Sequence, residues 1–218
     1  ACRLLTDHRV LQVHSLRVDQ VARARLSLGN RSTRPLMDSD TVLRDIIPSG
    51  EPIKFISLVR DPLARHLSYG FRQLRQHNKL RVFQEKLKDQ QQLLDHFHAV
   101  PQATTLNWFA DEVNYLLGAD IMQHEFLPHD YGYYKIGPHE LRVISAHMAD
   151  AKKSALLGEY AGMPLPEAIE PANITVHPAF AYYQSQILDG DADLIPQFLD
   201  SDYAKHFFSA ALREEFHE

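Results

Sequence analysis

Three residues in one short stretch have the types and spacing to hold a phosphate-like anion. They are Arg60, Arg65 and Ser68, in the segment Phe55-Ile-Ser-Leu-Val-Arg-Asp-Pro-Leu-Ala-Arg-His-Leu-Ser68. An arginine side chain presents a planar fork of donors that matches the oxygens of a phosphate. Between the two arginines, Asp61-Pro62 reads as the start of a helix. Asp suits the N-cap, and Pro fits the first helical position, where no N–H is needed. The first turn of that helix adds unpaired N–H groups and the positive end of its dipole. Ser68 stands eight residues after Arg60 and places a hydroxyl on the polar face, bordered by Arg65 and Arg72. Taken alone, Arg-Asp-Pro also describes an ordinary strand end with its cap.

Other residue types in the chain carry acid–base or stacking chemistry. His14 follows the apolar run Val10-Leu-Gln-Val13 and is a candidate general base, because an imidazole titrates near neutrality. The competing reading is a structural histidine, one of 13 in the chain. Glu112 and Asp111 are alternative bases, with a solvated helix face as the plainer reading. Trp108, with Phe109 beside it and Tyr115 nearby, offers aromatic faces for a sugar ring, or equally for core packing. Trp108 and Glu112 are the candidate substrate-binding residues. No metal is expected. His96 and His98 are two apart and point to different sides of a helix, and no zinc-hydrolase spacing occurs. Cys2 is the only cysteine, which excludes an intramolecular disulfide and a four-cysteine zinc site.

Strands and helices alternate around these residues. Val10–Val13 reads as a short strand, 18–28 as a helix, and 30–37 as a polar loop. Asp40 then caps a short helix through Ile47, stopped by Pro48-Ser-Gly. Ile53–Val59 is nearly continuously apolar, which predicts a central parallel strand. Leu63, Leu67, Phe71 and Leu74 recur at helical spacing and define the buried face of the helix opened by Asp61-Pro62. Helices are expected over 81–98, 105–117 (closed by Gly118), 149–160, 178–188 and 195–215, and strands over 131–136 and 141–145. Alternating strands and helices predict an α/β class with a parallel sheet, flanked by helices in three layers, in one domain over 1–218.

The charge is uneven. Residues 1–81 hold 15 Lys and Arg against 7 Asp and Glu, whereas 82–218 hold 8 against 21. A basic first part fits an anionic ligand. Nucleic acid is disfavoured, because the cations are not interleaved with aromatics and the whole chain carries a net charge of −5. No apolar run reaches membrane-spanning length and no signal-peptide core is present, so a cytoplasmic protein is expected.

The pattern strand-Val-Arg-Asp-Pro-x-x-Arg-x-x-Ser-Tyr-x-Phe resembles the motif with which sulfotransferases bind the 3′-phosphate of 3′-phosphoadenosine 5′-phosphosulfate (PAPS). Val10-Leu-Gln-Val-His14-Ser is similar to the strand-plus-histidine segment of that family. Asn107–Val113, Gly118-Ala-Asp-Ile121 and Tyr203–Ser209 resemble bacterial sulfotransferase-like proteins described as capsular polysaccharide synthesis proteins. The resemblance implies Arg60 and Ser68 as 3′-phosphate ligands, with Arg65 as a further basic position. It also implies His14 near the acceptor hydroxyl, PAPS or adenosine 3′,5′-bisphosphate as cofactor, and a carbohydrate or other hydroxyl-bearing acceptor. The implied fold is the P-loop NTPase-like sulfotransferase fold. One departure stands out. The family's Gly-rich loop for the 5′-phosphosulfate should precede His14, and no such loop occurs in this sequence. With no initiating Met present, the first strand and its loop are expected to lie upstream. A non-catalytic relative and a P-loop kinase of a small substrate stay open as alternatives.

Overall fold

The computed structural model describes residues 11, 13, 15–28, 33–76, 90–126, 130–167, 184, 185, 189 and 194–216. They form a mixed α/β structure with a small three-stranded mixed sheet flanked by helices. The chain divides into two compact units, residues 1–58 with 108–172 and residues 59–107 with 173–218.

In the first unit, helix α1 (Val18–Leu28) is followed by α2 (Arg34–Thr41), a π-helical turn over Val42–Ile46, and the short α3 (Ile47–Ser49). The expected loop over 30–37 and the cap at Asp40 are therefore corrected where they can be seen, because α2 begins six residues before Asp40. Thr33 is the extended N-cap and Pro35 lies in the first turn, where its fixed φ and missing N–H cost nothing. Polar side chains of α2 are satisfied within the helix. The Ser39 hydroxyl donates to the Pro35 carbonyl at 2.9 Å, and Arg34 lies 3.8 Å from Asp38. Asp40 instead pairs with Arg25 of α1. Gly50 ends α3 with a left-handed φ of 72°.

The sheet comprises β1 (Lys54–Val59), β2 (Tyr131–Ile136) and β3 (His139–Ser145), in the order β1-β3-β2. The wholly parallel sheet of the sequence reading is overturned. β2 and β3 are antiparallel, in register from Tyr131↔Ile144 to Ile136↔His139. Only Gly137 and Pro138 separate them, and a parallel crossover needs a dozen or more residues. Gly137 takes a positive φ of 56°, which lets the chain reverse there. Nor is β1 central. Among the described residues it is an edge strand, and its burial alternates, leaving Ile56 38% and Leu58 44% exposed. Its start is pinned to β3 by Glu140 N–H donating to the Ile53 carbonyl at 2.9 Å. Ile53 N–H in turn donates to His139 Nδ1 at 3.3 Å. Leu11 and Val13 lie in no strand, and the rest of the expected strand at 10–13 falls outside the described residues.

Helix α8 (Asp150–Ala161) covers one side of this sheet through Ile144, Met148 and Leu157. Its Tyr160 is boxed in by cations, with Arg142 5.0 Å and Lys54 5.2 Å from the ring centre. In the preceding segment 103–118, the single helix expected over 105–117 is broken. The segment comprises α6 (Ala103–Leu106), a bend at Asn107, a π turn over Phe109–Asn114 and α7 (Tyr115–Leu117). Gly118 closes it at φ 66°, as the sequence suggested.

The second unit is built on α4 (Pro62–Gln76). Its Leu63, Leu67 and Phe71 are buried, as the helical spacing predicted. They pack with Leu94 and Phe97 of α5 (Gln90–Ala99) and with Leu194, Phe198 and Leu199 of α9 (Leu194–Leu199). The side chain of Leu74 lies outside the described residues, as do residues 81–89 of the helix expected over 81–98 and most of 178–188. The expected long C-terminal helix is three short ones: α9, α10 (Asp202–Phe207) and α11 (Ala210–Glu215). Ser201 and Ser209 cap the last two, accepting from the N–H groups of Ala204 and Leu212 at 3.2 Å each.

Candidate functional site

The chain leaves β1 at Val59, passes through Arg60 and Asp61, and enters α4 at Pro62. Asp61 performs the capping role its type suggests. Its Oδ1 accepts from Leu63 N–H at 2.8 Å, and its carbonyl accepts from Arg65 N–H at 3.0 Å. With its first turn so fixed, α4 turns its apolar stripe to the core and Ser68 to the rim of the unit. The Arg60 side chain folds back over this helix, and its Nη2 donates to Ser68 Oγ at 3.1 Å. The two residues singled out by their eight-residue spacing are therefore in direct contact.

Arg65 joins them from the same helix. Its Nη1 reaches the Thr105 carbonyl at 3.5 Å. Neither Arg60 nor Arg65 enters an ion pair with a carboxylate among the described residues. Arg60 as a whole residue is exposed, yet protein atoms crowd its guanidinium. This partial desolvation, reinforced by the like charge of Arg65, lowers its pKa and outweighs the opposing pull of Asp61. The Arg60 guanidinium with the Ser68 hydroxyl in contact with it, Arg65 near enough to act on it electrostatically, and the N-terminus of a 15-residue helix form one set of donors. Such a set suits a tetrahedral dianion. The Ser68 proton and the remaining Nη donors are the groups available to it.

Tyr203 also belongs to this cluster, and no motif spacing pointed to it. It is 2% exposed in α10, and its hydroxyl donates to the Arg60 carbonyl at 3.5 Å across 143 residues of sequence. The same hydroxyl lies within electrostatic range of Arg65. Burial raises the Tyr203 pKa, and the two arginines oppose that rise. Tyr203 falls within the stretch 203–209 that carried a family resemblance, and that was the only signal for it.

The first unit holds the other named residues. Glu112 sits in the π turn and is 3% exposed. Its carboxylate accepts from the Ser15 hydroxyl at 3.0 Å through each oxygen, and from the Leu16 N–H. Burial raises its pKa, against the lowering effect of the Leu16 and Ser15 hydrogen bonds and of Arg17. Its carboxylate thus clasps the segment that follows His14. Arg17 continues this cluster, ion-paired with Asp19 at 3.0 Å and stacked 5.4 Å over the Tyr115 ring. Trp108 is half-buried and meets the buried Phe109 edge to face, with ring centres 4.9 Å apart. His14 itself lies outside the described residues. The structure brings together Arg60, Arg65 and Ser68 in one unit, and Glu112 with residues 15–17 in the other.

No family model, no curated protein and no solved structure matches this chain.

Proposed function

We propose that the protein is sulfotransferase-like, and that Arg60, Ser68 and Arg65 seat the 3′-phosphate of PAPS or adenosine 3′,5′-bisphosphate. The observation that carries this reading is the Arg60–Ser68 contact at 3.1 Å, beside a second arginine and at the capped start of a helix. The donor set fits a phosphate in number and charge, and the mixed α/β architecture supports the reading at a coarser level. Arg60 contributes charge and directional donors, Ser68 a neutral donor, and Arg65 the second charge that distinguishes a dianion from a monoanion. The bound PAPS supplies the sulfuryl group for transfer to a hydroxyl of a carbohydrate or related acceptor. His14 is the proposed acceptor of the proton from that hydroxyl, on its sequence position alone. Trp108 is proposed to face the acceptor ring. Glu112, which grips Ser15 and Leu16, acts one step removed from it. The grip on the 5′-phosphosulfate is assigned to none of these residues.

The reading is tested by calorimetric titration with adenosine 3′,5′-bisphosphate and with adenosine 5′-monophosphate, which lacks the 3′-phosphate. The bisphosphate is expected to bind at least about tenfold more tightly, the worth of one good charge-assisted hydrogen bond. Arg60→Ala is expected to abolish that difference and Ser68→Ala to reduce it. Equal affinity for the two nucleotides, or discrimination that survives Arg60→Ala, would overturn the assignment.

A further inference from the structure

We infer that Tyr203 is the positioning residue of the anion seat: its hydroxyl fixes the Arg60–Arg65 pair in the orientation that receives the ligand. This rests on the reading of Arg60, Arg65 and Ser68 as that seat.

Arg60 comes just after the end of a strand, at a point where the backbone has left the sheet ladder and has not yet entered the helix. The direction in which its side chain departs therefore depends on what holds its peptide group. The Tyr203 hydroxyl reaches its carbonyl at 3.5 Å. A phenol can donate one hydrogen bond and accept others at the same time. Here the hydroxyl lies 3.5 Å from the Arg60 carbonyl, while the Arg65 charge acts on the same oxygen. One atom thus reaches the backbone of one arginine and lies within electrostatic range of the other. Arg65 has a second tether in the Thr105 carbonyl.

Tyr203 is itself well placed to act as an anchor. The ring is 2% exposed and meets Phe207 at 4.9 Å and Phe208 at 6.3 Å between centres. Its helix, α10, is capped at Ser201. The hydroxyl therefore has a fixed place set by packing. Two adjacent guanidinium groups repel each other and would splay apart without such restraint. Holding them before the ligand arrives removes part of the ordering cost from binding. The hydroxyl touches no ligand in this scheme and acts only through the two arginines.

The test uses Tyr203→Phe, which keeps the packed ring and deletes the hydroxyl. Adenosine 3′,5′-bisphosphate is expected to bind the variant about fivefold more weakly, the fold-change from losing one ordinary hydrogen bond. Discrimination against adenosine 5′-monophosphate should shrink with it, while the melting temperature without nucleotide stays near that of the wild type. A second readout uses the wild type alone. With tyrosine labelled at 13Cζ, the Tyr203 resonance should move during the bisphosphate titration with the same midpoint as binding, and stay still with the monophosphate. Packing alone would not move that resonance. Equal bisphosphate affinity of the two proteins, or a stationary resonance, would overturn the role of Tyr203 and leave the seat standing. A wild type that does not distinguish the two nucleotides would remove the seat and this inference together.

Discussion

Gly70 provides a sharp test of the packing that holds the anion seat. It lies in the middle of α4, two residues beyond Ser68, and is buried. In an isolated helix, Gly→Ala would stabilise by about 1 kcal/mol, because alanine loses less backbone freedom and shields the backbone. Here the sign should reverse. A Cβ at Gly70 would fall 2.4 Å from Cε1 and 2.7 Å from Cδ1 of Phe97. Ordinary contact needs roughly another ångström. Phe97 cannot supply it easily. It is 2% exposed, its ring meets those of His66 and His96 at 6.4 and 5.4 Å, and it belongs to the core shared by α4, α5 and α9. Overpacking of this kind costs about 1–3 kcal/mol, and the larger overlaps sit at the upper end. Set against the propensity gain, Gly70→Ala should destabilise by about 1–2 kcal/mol. The assay is urea unfolding followed by circular dichroism, with the slope compared between variants so that a shift in midpoint reads as stability. A double-mutant cycle with Phe97→Leu isolates the cause. The smaller side chain should relieve the clash, and the two substitutions should be non-additive by more than about 1 kcal/mol. A stabilised Gly70→Ala, or strict additivity with Phe97→Leu, would refute the close α4–α5 contact.

Two further predictions concern buried titratable groups. His66 is fully buried on α4, with Nε2 3.1 Å from the Phe97 carbonyl and its ring 4.5 Å from that of Phe198. Burial lowers its pKa, and His98 and His96 add to the effect. The unfolded chain therefore binds this proton more readily. The stability His66 permits is fully present above the ordinary histidine pKa and is lost as pH falls from there through the folded value. Urea midpoints of the wild type should fall over that window, and His66→Leu should flatten the slope; an unchanged slope would reject the assignment. Glu112 has the opposite character, a carboxyl whose pKa burial raises above the ordinary 4.5. Its contribution is fully present below that value and declines as pH rises through the folded pKa. Glu112→Gln, which keeps an acceptor for Leu16 N–H, should remove this slope at little cost near neutrality. Glu112→Ala should cost about 1–3 kcal/mol, because it strands a buried N–H. Equal stability of the two variants would show that the clasp on residues 15–17 is not formed.

Much of the local architecture was legible in the sequence, because its causes are local. The strand at 54–59, the Asp61-Pro62 helix start, the buried face of Leu63, Leu67 and Phe71, and the stop at Gly118 all follow from residue type and period. The misread elements failed for equally physical reasons. The polar loop read over 30–37 overlaps α2, whose Ser39 and Asp38 interactions are made inside the helix, where composition does not reveal them. The strand β1 looked central because it is apolar, but apolar content does not fix a strand's place in a sheet. Only the pairing with β3 on one side alone placed it at the edge among the described residues. The antiparallel hairpin at Gly137-Pro138 was readable from the short connection and was missed.

The candidate site divides along the same line. By itself the sequence determined that Arg60 would leave a strand at the mouth of a capped helix, and that Ser68 would stand two turns along its polar face. Both consequences depend on neighbours in the chain, so a helical repeat of 3.6 residues suffices to derive them. The tertiary structure alone decided that Arg60 folds back onto Ser68, that Glu112 turns inward to hold Ser15 and Leu16, and that Tyr203 comes to rest beside two arginines. Contacts across 97 or 143 residues are selected by how buried surfaces pack and by the need to pair every buried polar atom. No spacing along the chain encodes that choice.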